Sequence, residues 1–153
     1  MATTTAFCTS AKQELAQGLH NFTQTTGNAF SMALVKVAPA GTYGAATTNY
    51  SNLTGNADEV PNGNGYATGG FAWTAAQNIT PATAGTTAFW SWTVNPSWTS
   101  ATFSCTAGII YNTTNGNRSV STHDFGGTQT VSAGTLTVIL PTNNNTSAIL
   151  RIQ

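Results

Sequence analysis

Between Phe103 and Tyr111 every second residue is apolar or small: Phe103, Cys105, Ala107, Ile109, Tyr111. Only a strand turns such a series to one side, because successive side chains in a strand alternate between faces. Asn115-Gly116 follows, two residues that tolerate positive φ and form the strongest short hairpin signal. Residues 118 to 125 then read as the returning strand. This ladder is antiparallel, and the rest of the chain has to be compatible with it.

The other segments agree. Phe30, Met32 and Leu34 alternate with Ser31, Ala33 and Val35, a strand with one strongly apolar face. Residues 39 to 70 are rich in Gly, Asn and Pro and read as loop, pinned to the body by Tyr43, Tyr50, Leu53 and Tyr66. Phe71 and Trp73 open a strand expected to run to Ile79. Residues 86 to 94 form another, with Trp90, Trp92 and Val94 on one face. Gly126-Gly127 predicts a further turn, residues 128 to 140 more β with a break at Ala133-Gly134, and Ser147 to Ile152 a last short strand. Short strands with turn signals every 8–12 residues or so mark an antiparallel β-sandwich or a barrel-like relative.

One helix is legible. Ser10 and Gln13 have capping-box spacing, and Leu15, Leu19 and Phe22 recur at helical intervals. Gly18 weakens this helix, and Thr23 to Asn28 end it. The expected organisation is mainly β, a single domain in two parts. Residues 1–28 are an extended N-terminal arm and an amphipathic helix, and residues 29–153 are a β-sandwich body.

Charge narrows the function. Asp, Glu, Lys and Arg are 5% of the chain and net charge is zero, where a soluble domain usually carries about 25%. Lys12, Lys36, Arg118 and Arg151 are too few and too scattered for the basic patch that nucleic acid or an anionic membrane requires. No apolar run is long enough to span a bilayer, and the opening MATTTAFCTS has neither the basic nor the apolar region of a Sec signal. Threonine is about a fifth of the residues, β-branched and hydroxylated, so it suits a strand and also faces water. A surface solubilised by hydroxyls and amides favours association and makes contacts that depend little on salt, which points to a structural, assembling protein.

No reactive constellation stands out. Asp58-Glu59, in a Gly/Asn-rich loop, reads as two solvated charges, and His123-Asp124 as an ordinary surface or core histidine beside an acid. No Gly-x-Ser-x-Gly elbow occurs, and His20 and Cys105 have no metal-ligand spacing. Cys8 and Cys105 read as small, buried, reduced residues. The expectation is a protein that is not an enzyme and takes no cofactor or metal. Trp73, Trp90, Trp92 and Trp98 fall close together. Trp90 and Trp92 would serve a carbohydrate-binding module if exposed, and the favoured reading has them filling the core or a subunit interface.

Ordered motifs run through nearly the whole chain. They begin with Phe7-Cys8-Thr9-Ser10, Lys12-Gln13-Glu14-Leu15, Gly18-Leu19-His20-Asn21-Phe22 and Phe30 to Leu34, and pass through Glu59-Val60, Gly65-Tyr66-Ala67-Thr68-Gly69-Gly70 and Ala101-Thr102-Phe103. They end with Ile109-Ile110-Tyr111-Asn112, Asp124-Phe125-Gly126 and the segment from Pro141. In this the chain resembles a group of small tailed-bacteriophage virion proteins, departing from their pattern at Trp90-Ser91-Trp92 and Cys105. The resemblance implies a phage structural protein, best read as a capsid cement (decoration) protein. It would be made in the bacterial cytoplasm and bound to the major capsid protein on the outside of the virion head. It would also pair with itself as a cyclic oligomer, a trimer being the form that suits threefold lattice junctions. A tail or head-fibre component is the nearest alternative, and a carbohydrate-binding module using Trp90 and Trp92 the next. The expected interface residues are Phe7, Leu15, Leu19 and Phe22 of an intersubunit arm, and the Trp90/Trp92 face.

Overall fold

The computed structural model describes residues 3–153. Strands hold 44% of residues and helices 11%, in two antiparallel sheets that form a β-sandwich. The larger sheet runs β1 (Ala6–Phe7), β7 (Arg118–Thr137), β6 (Ser97–Asn112), β2 (Phe30–Lys36), β3 (Phe71–Trp73). The smaller runs β4 (Ala82–Ala84), β5 (Thr87–Trp90), β8 (Leu150–Ile152). Helices α1 (Thr9–Ala16) and α2 (Ser51–Gly55) are short.

The β6–β7 hairpin is the spine. Its connection spans residues 113–117, and the positive φ angles fall at Gly116 (66°) and Asn117 (56°), one residue later than the expected Asn-Gly pair. The turn expected at Gly126-Gly127 is instead a bulge within one continuous strand. Ala107 pairs Asp124 while Cys105 pairs Gln129, so extra residues of β7 loop out and the ladder resumes. Ala133, at φ 47°, makes a second bulge where the break was expected. The cause is the partner: β6 is long enough to template both halves, and glycines that would reverse a free strand only kink a paired one.

Central strand β2 and the second half of β6, from Ala107 to Asn112, are buried on both faces. Phe30, Met32, Leu34 and Ile110 face the smaller sheet, in a core with Phe22, Trp73, Trp90, Trp92, Val120 and Leu150. Ala33, Val35, Ala107 and Ile109 face the other way, onto Tyr43, Leu53 and Tyr111. The 39 to 70 segment is therefore a third layer, pinned as expected by Tyr43, Leu53 and Tyr66, with Tyr50 stacked on Tyr111 at 4.4 Å.

Helix α1 is shorter than its apolar spacing suggested. Cys8 is its N-cap without a side-chain bond, so the Ser10–Gln13 box is not used, whereas Thr74 and Gln77 do form a capping box, on a single 3-10 turn where β3 was expected to continue. Gly18 at φ 71° stops α1: Gly18 N–H donates to Leu15 O (3.0 Å) and Leu19 N–H to Glu14 O (2.9 Å). This is the Schellman arrangement that satisfies the last carbonyls, and Leu19 and Phe22 lie beyond it.

The expected extended N-terminal arm pairs within the chain where it is described; Met1 and Ala2 lie outside the described residues. Thr4 N–H donates to Tyr43 O, β1 pairs Ser121 and Thr122, and Cys8 N–H donates to Val120 O. β1 thus flanks the hairpin, and α1 lies against β7.

Candidate functional site

The acidic pair corrects the solvated-loop expectation. Asp58 is wholly buried. Its carboxylate accepts from Ala40 N (2.9 Å), Gly41 N (2.7 Å) and the Tyr43 hydroxyl (2.7 Å), with Lys36 Nζ at 3.3 Å. Burial pushes its pKa up, and these donors outweigh burial and hold it at about 2. Glu59 turns the opposite way, accepting from Tyr50 (2.5 Å), Tyr66 (2.7 Å) and Gly69 N (2.7 Å). The two carboxylates diverge and are each spent on fastening the loop layer, so they do not face one bond as a hydrolytic pair must. A signal for this existed. Three loop tyrosines that bury their rings wholly or in part need polar partners, and Asp58 and Glu59 are the only acids in that stretch.

A second hub ties α1 to the hairpin. Glu14, 7% exposed, accepts from Arg118 Nη1 (2.8 Å) and lies 2.9 Å from His20 Nε2. The other His20 nitrogen meets Asn112 Nδ2 at 3.0 Å, and that amide also reaches Leu19 O and Asn28 Oδ1. Burial lowers the His20 pKa against the pull of Glu14. Both Glu14 oxygens and both His20 nitrogens have a partner, while Arg118 Nε is buried without one.

His123 and Ser121 share one face of β7, Nε2 to Oγ 2.9 Å, on the wall of a cavity of about 570 Å3 between the sheets. Phe7, Met32, Val138, Ile149 and Arg151 contribute to the same wall. Burial pulls the His123 pKa down to about 4, which favours the neutral ring. A nucleophilic set also needs a group to orient the imidazole. The neighbouring Asp124 does not supply it: its carboxylate caps Gly126 N (3.0 Å). Among the described residues no group of three or more His, Cys, Asp or Glu side chains could hold a metal ion. Cys8 and Cys105 are buried free thiols, pushed up by burial to about 12 and about 11.

The tryptophans are core. Trp90 and Trp92 are each 3% exposed. Trp92 stacks on Trp73 at 4.7 Å, Phe22 on Phe30 at 4.7 Å, and Trp90 meets Phe22 at 4.9 Å and Phe7 edge-on at 6.1 Å. Sugar stacking requires an open indole face, and neither ring offers one. Strand β5 ends at Trp90, so Trp90 and Trp92 do not continue as one strand face. Of the expected interface residues, Phe22, Trp90 and Trp92 are buried in the chain's own core, Phe7 and Leu15 pack partly buried against it, and Leu19 is half-buried just past α1.

What remains open is backbone. β7 is paired by β6 along one side, but by β1 only at Ser121 and Thr122 on the other. Beside its unpaired part, Phe125, Gln129, Leu136 and Val138 line a groove of about 280 Å3 rimmed by Ile139, which is 72% exposed. In sequence this stretch reads as ordinary β, and its alternation of Thr and Ser with apolar residues is the signal it carries. The chain matches no protein-family profile, no curated protein and no solved structure.

Proposed function

We propose that this chain is a non-enzymatic structural protein of a tailed-phage virion, a cement protein that binds the outside of the major capsid lattice and stabilises the head. The observation that carries the reading is the neutral, hydroxyl-rich sandwich whose exposed β7 edge is uncharged from Phe125 onward. Such a surface binds through many weak contacts that multiplicity makes strong, and like copies crowded on a lattice do not repel one another. The ordered motifs shared with small phage virion proteins support the same reading. The polar clusters add to it, because their acids and histidines are engaged in holding the fold.

The deciding experiment is immunogold labelling and quantitative mass spectrometry of purified virions of the source phage. Hundreds of copies spread over the head are expected. Label confined to the tail, at a few tens of copies or fewer, would replace cement by a tail or fibre role, and absence from the virion would refute the structural reading.

A further inference from the structure

The cavity of about 570 Å3 where the two sheets meet takes no part in the head-protein reading. Alternate residues of two strands line it, the spacing of one strand face. They are Ser121, His123 and Phe125 on β7, and Ile149, Arg151 and Gln153 along β8 and its flanks. β7 belongs to the larger sheet and β8 to the smaller. Val138 extends the apolar part of the wall. No Asp or Glu among the described residues lines the cavity, and none forms an ion pair with Arg151. Arg151 Nη1 donates to Thr146 O (2.7 Å), which holds the guanidinium in place and leaves its other donors for a ligand. His123 adds no second charge at neutral pH, since burial holds its pKa at about 4. Its Nδ1 has no hydrogen-bond partner among the described residues.

We propose that this cavity binds a small amphipathic monoanion, a fatty carboxylate, with its head group on Arg151 and its apolar body along Phe125, Val138 and Ile149. The volume falls within the range of about 300–1,000 Å3 that holds small molecules, and an apolar wall with a few polar groups is the usual make-up of such sites. Charge selects the head group. A planar guanidinium takes a carboxylate through two parallel hydrogen bonds, and one cation neutralises one negative charge. A phosphate dianion would bring a second charge with no partner, and an organic cation would meet like charge. Arg151 is exposed, so the head group sits at the water's edge and keeps part of its hydration. The body covers the apolar wall, and its removal from water supplies the driving force. His123, neutral, adds a hydrogen-bonding nitrogen without competing for the charge.

The site goes beyond the head-protein reading and is tested on the purified full chain. Titration calorimetry with dodecanoate should give one site per chain with a Kd below about 100 μM, and dodecanoate should raise the melting temperature. Dodecyltrimethylammonium, the same chain length with a cationic head, should bind at least about tenfold more weakly. Arg151→Gln should weaken dodecanoate binding at least about tenfold, about 1.4 kcal/mol. Val138→Trp, which fills the cavity from its apolar wall, should abolish binding. Lys12→Gln removes a cation that does not line the cavity and should leave binding unchanged. Val138 is half-buried and Arg151 exposed, and melting without ligand checks that both variants fold. No dodecanoate binding at about 1 mM, equal binding of the ammonium, or binding indifferent to both Arg151→Gln and Val138→Trp would overturn the proposal. Each of these results leaves the head-protein reading where virion labelling puts it.

Discussion

Asp58 accepts from two backbone amides and a tyrosine hydroxyl, and removing the carboxylate takes that acceptor from all three. Asp58→Ala leaves the amides of Ala40 and Gly41 and the Tyr43 hydroxyl without this partner. The expected loss is about 3–5 kcal/mol, read as a fall in the urea midpoint. His123 makes a different prediction. Its folded pKa, about 4, lies below the ordinary 6.5, so the unfolded chain takes up the proton first. Its contribution is complete above pH 6.5 and is lost as pH falls from 6.5 to about 4, with a slope of at most about 1.4 kcal/mol per pH unit. His20, also lowered by burial, adds to the slope with the same sign. Urea titrations between about pH 7 and about pH 4.5 should show His123→Asn removing part of the slope and leaving the rest; an unchanged slope would rule His123 out.

At the scale of elements, the loop layer is locked to β2 through Gly70. Its φ is 77°, and a Cβ there would stand 1.9 Å from Met32 O and 2.7 Å from the Ala33 Cα. Those atoms belong to the central strand, which is buried on both faces and has nowhere to move. Gly70→Ala should therefore cost at least about 3 kcal/mol, whereas Gly55→Ala, with nothing within 4 Å, should stay within about 0.5 kcal/mol. Thermal melting of the two variants side by side checks the contrast. The same constraint explains why periodicity overran helix α1. Leu15, Leu19 and Phe22 keep helical spacing, but the backbone at Gly18 turns left-handed, and Phe22 reaches the core from a loop.

For the whole molecule, the scarcity of charge becomes a property of assembly. Attraction between exposed charges fades over a Debye length of about 8 Å at physiological salt, and an interface without charges has nothing to lose. On the cement reading, the chain's affinity for capsid shells should therefore change less than about threefold between about 50 mM and 1 M NaCl. Sedimentation across that series measures it, and a steep weakening with salt would mean that Arg151 or Asp124 carries the contact.

The sequence by itself determined the antiparallel ladder, the β6–β7 hairpin, the apolar faces of β2 and β6, and the tyrosines that pin the loop layer. Each of these rests on physics within a few residues: side-chain alternation, turn residues that accept positive φ, and rings that must leave water. Only the tertiary structure decided the rest. Gly126-Gly127 is a bulge because β6 continues beside it. Trp90 and Trp92 are covered because the small sheet closes on the large one there. Asp58 is buried because its donors, Lys36, Ala40, Gly41 and Tyr43, are brought to it from the end of β2 and the loop that follows. The β7 edge is open because β1 is only two residues long. These outcomes depend on which segment arrives next to which, and local pattern carries no record of that.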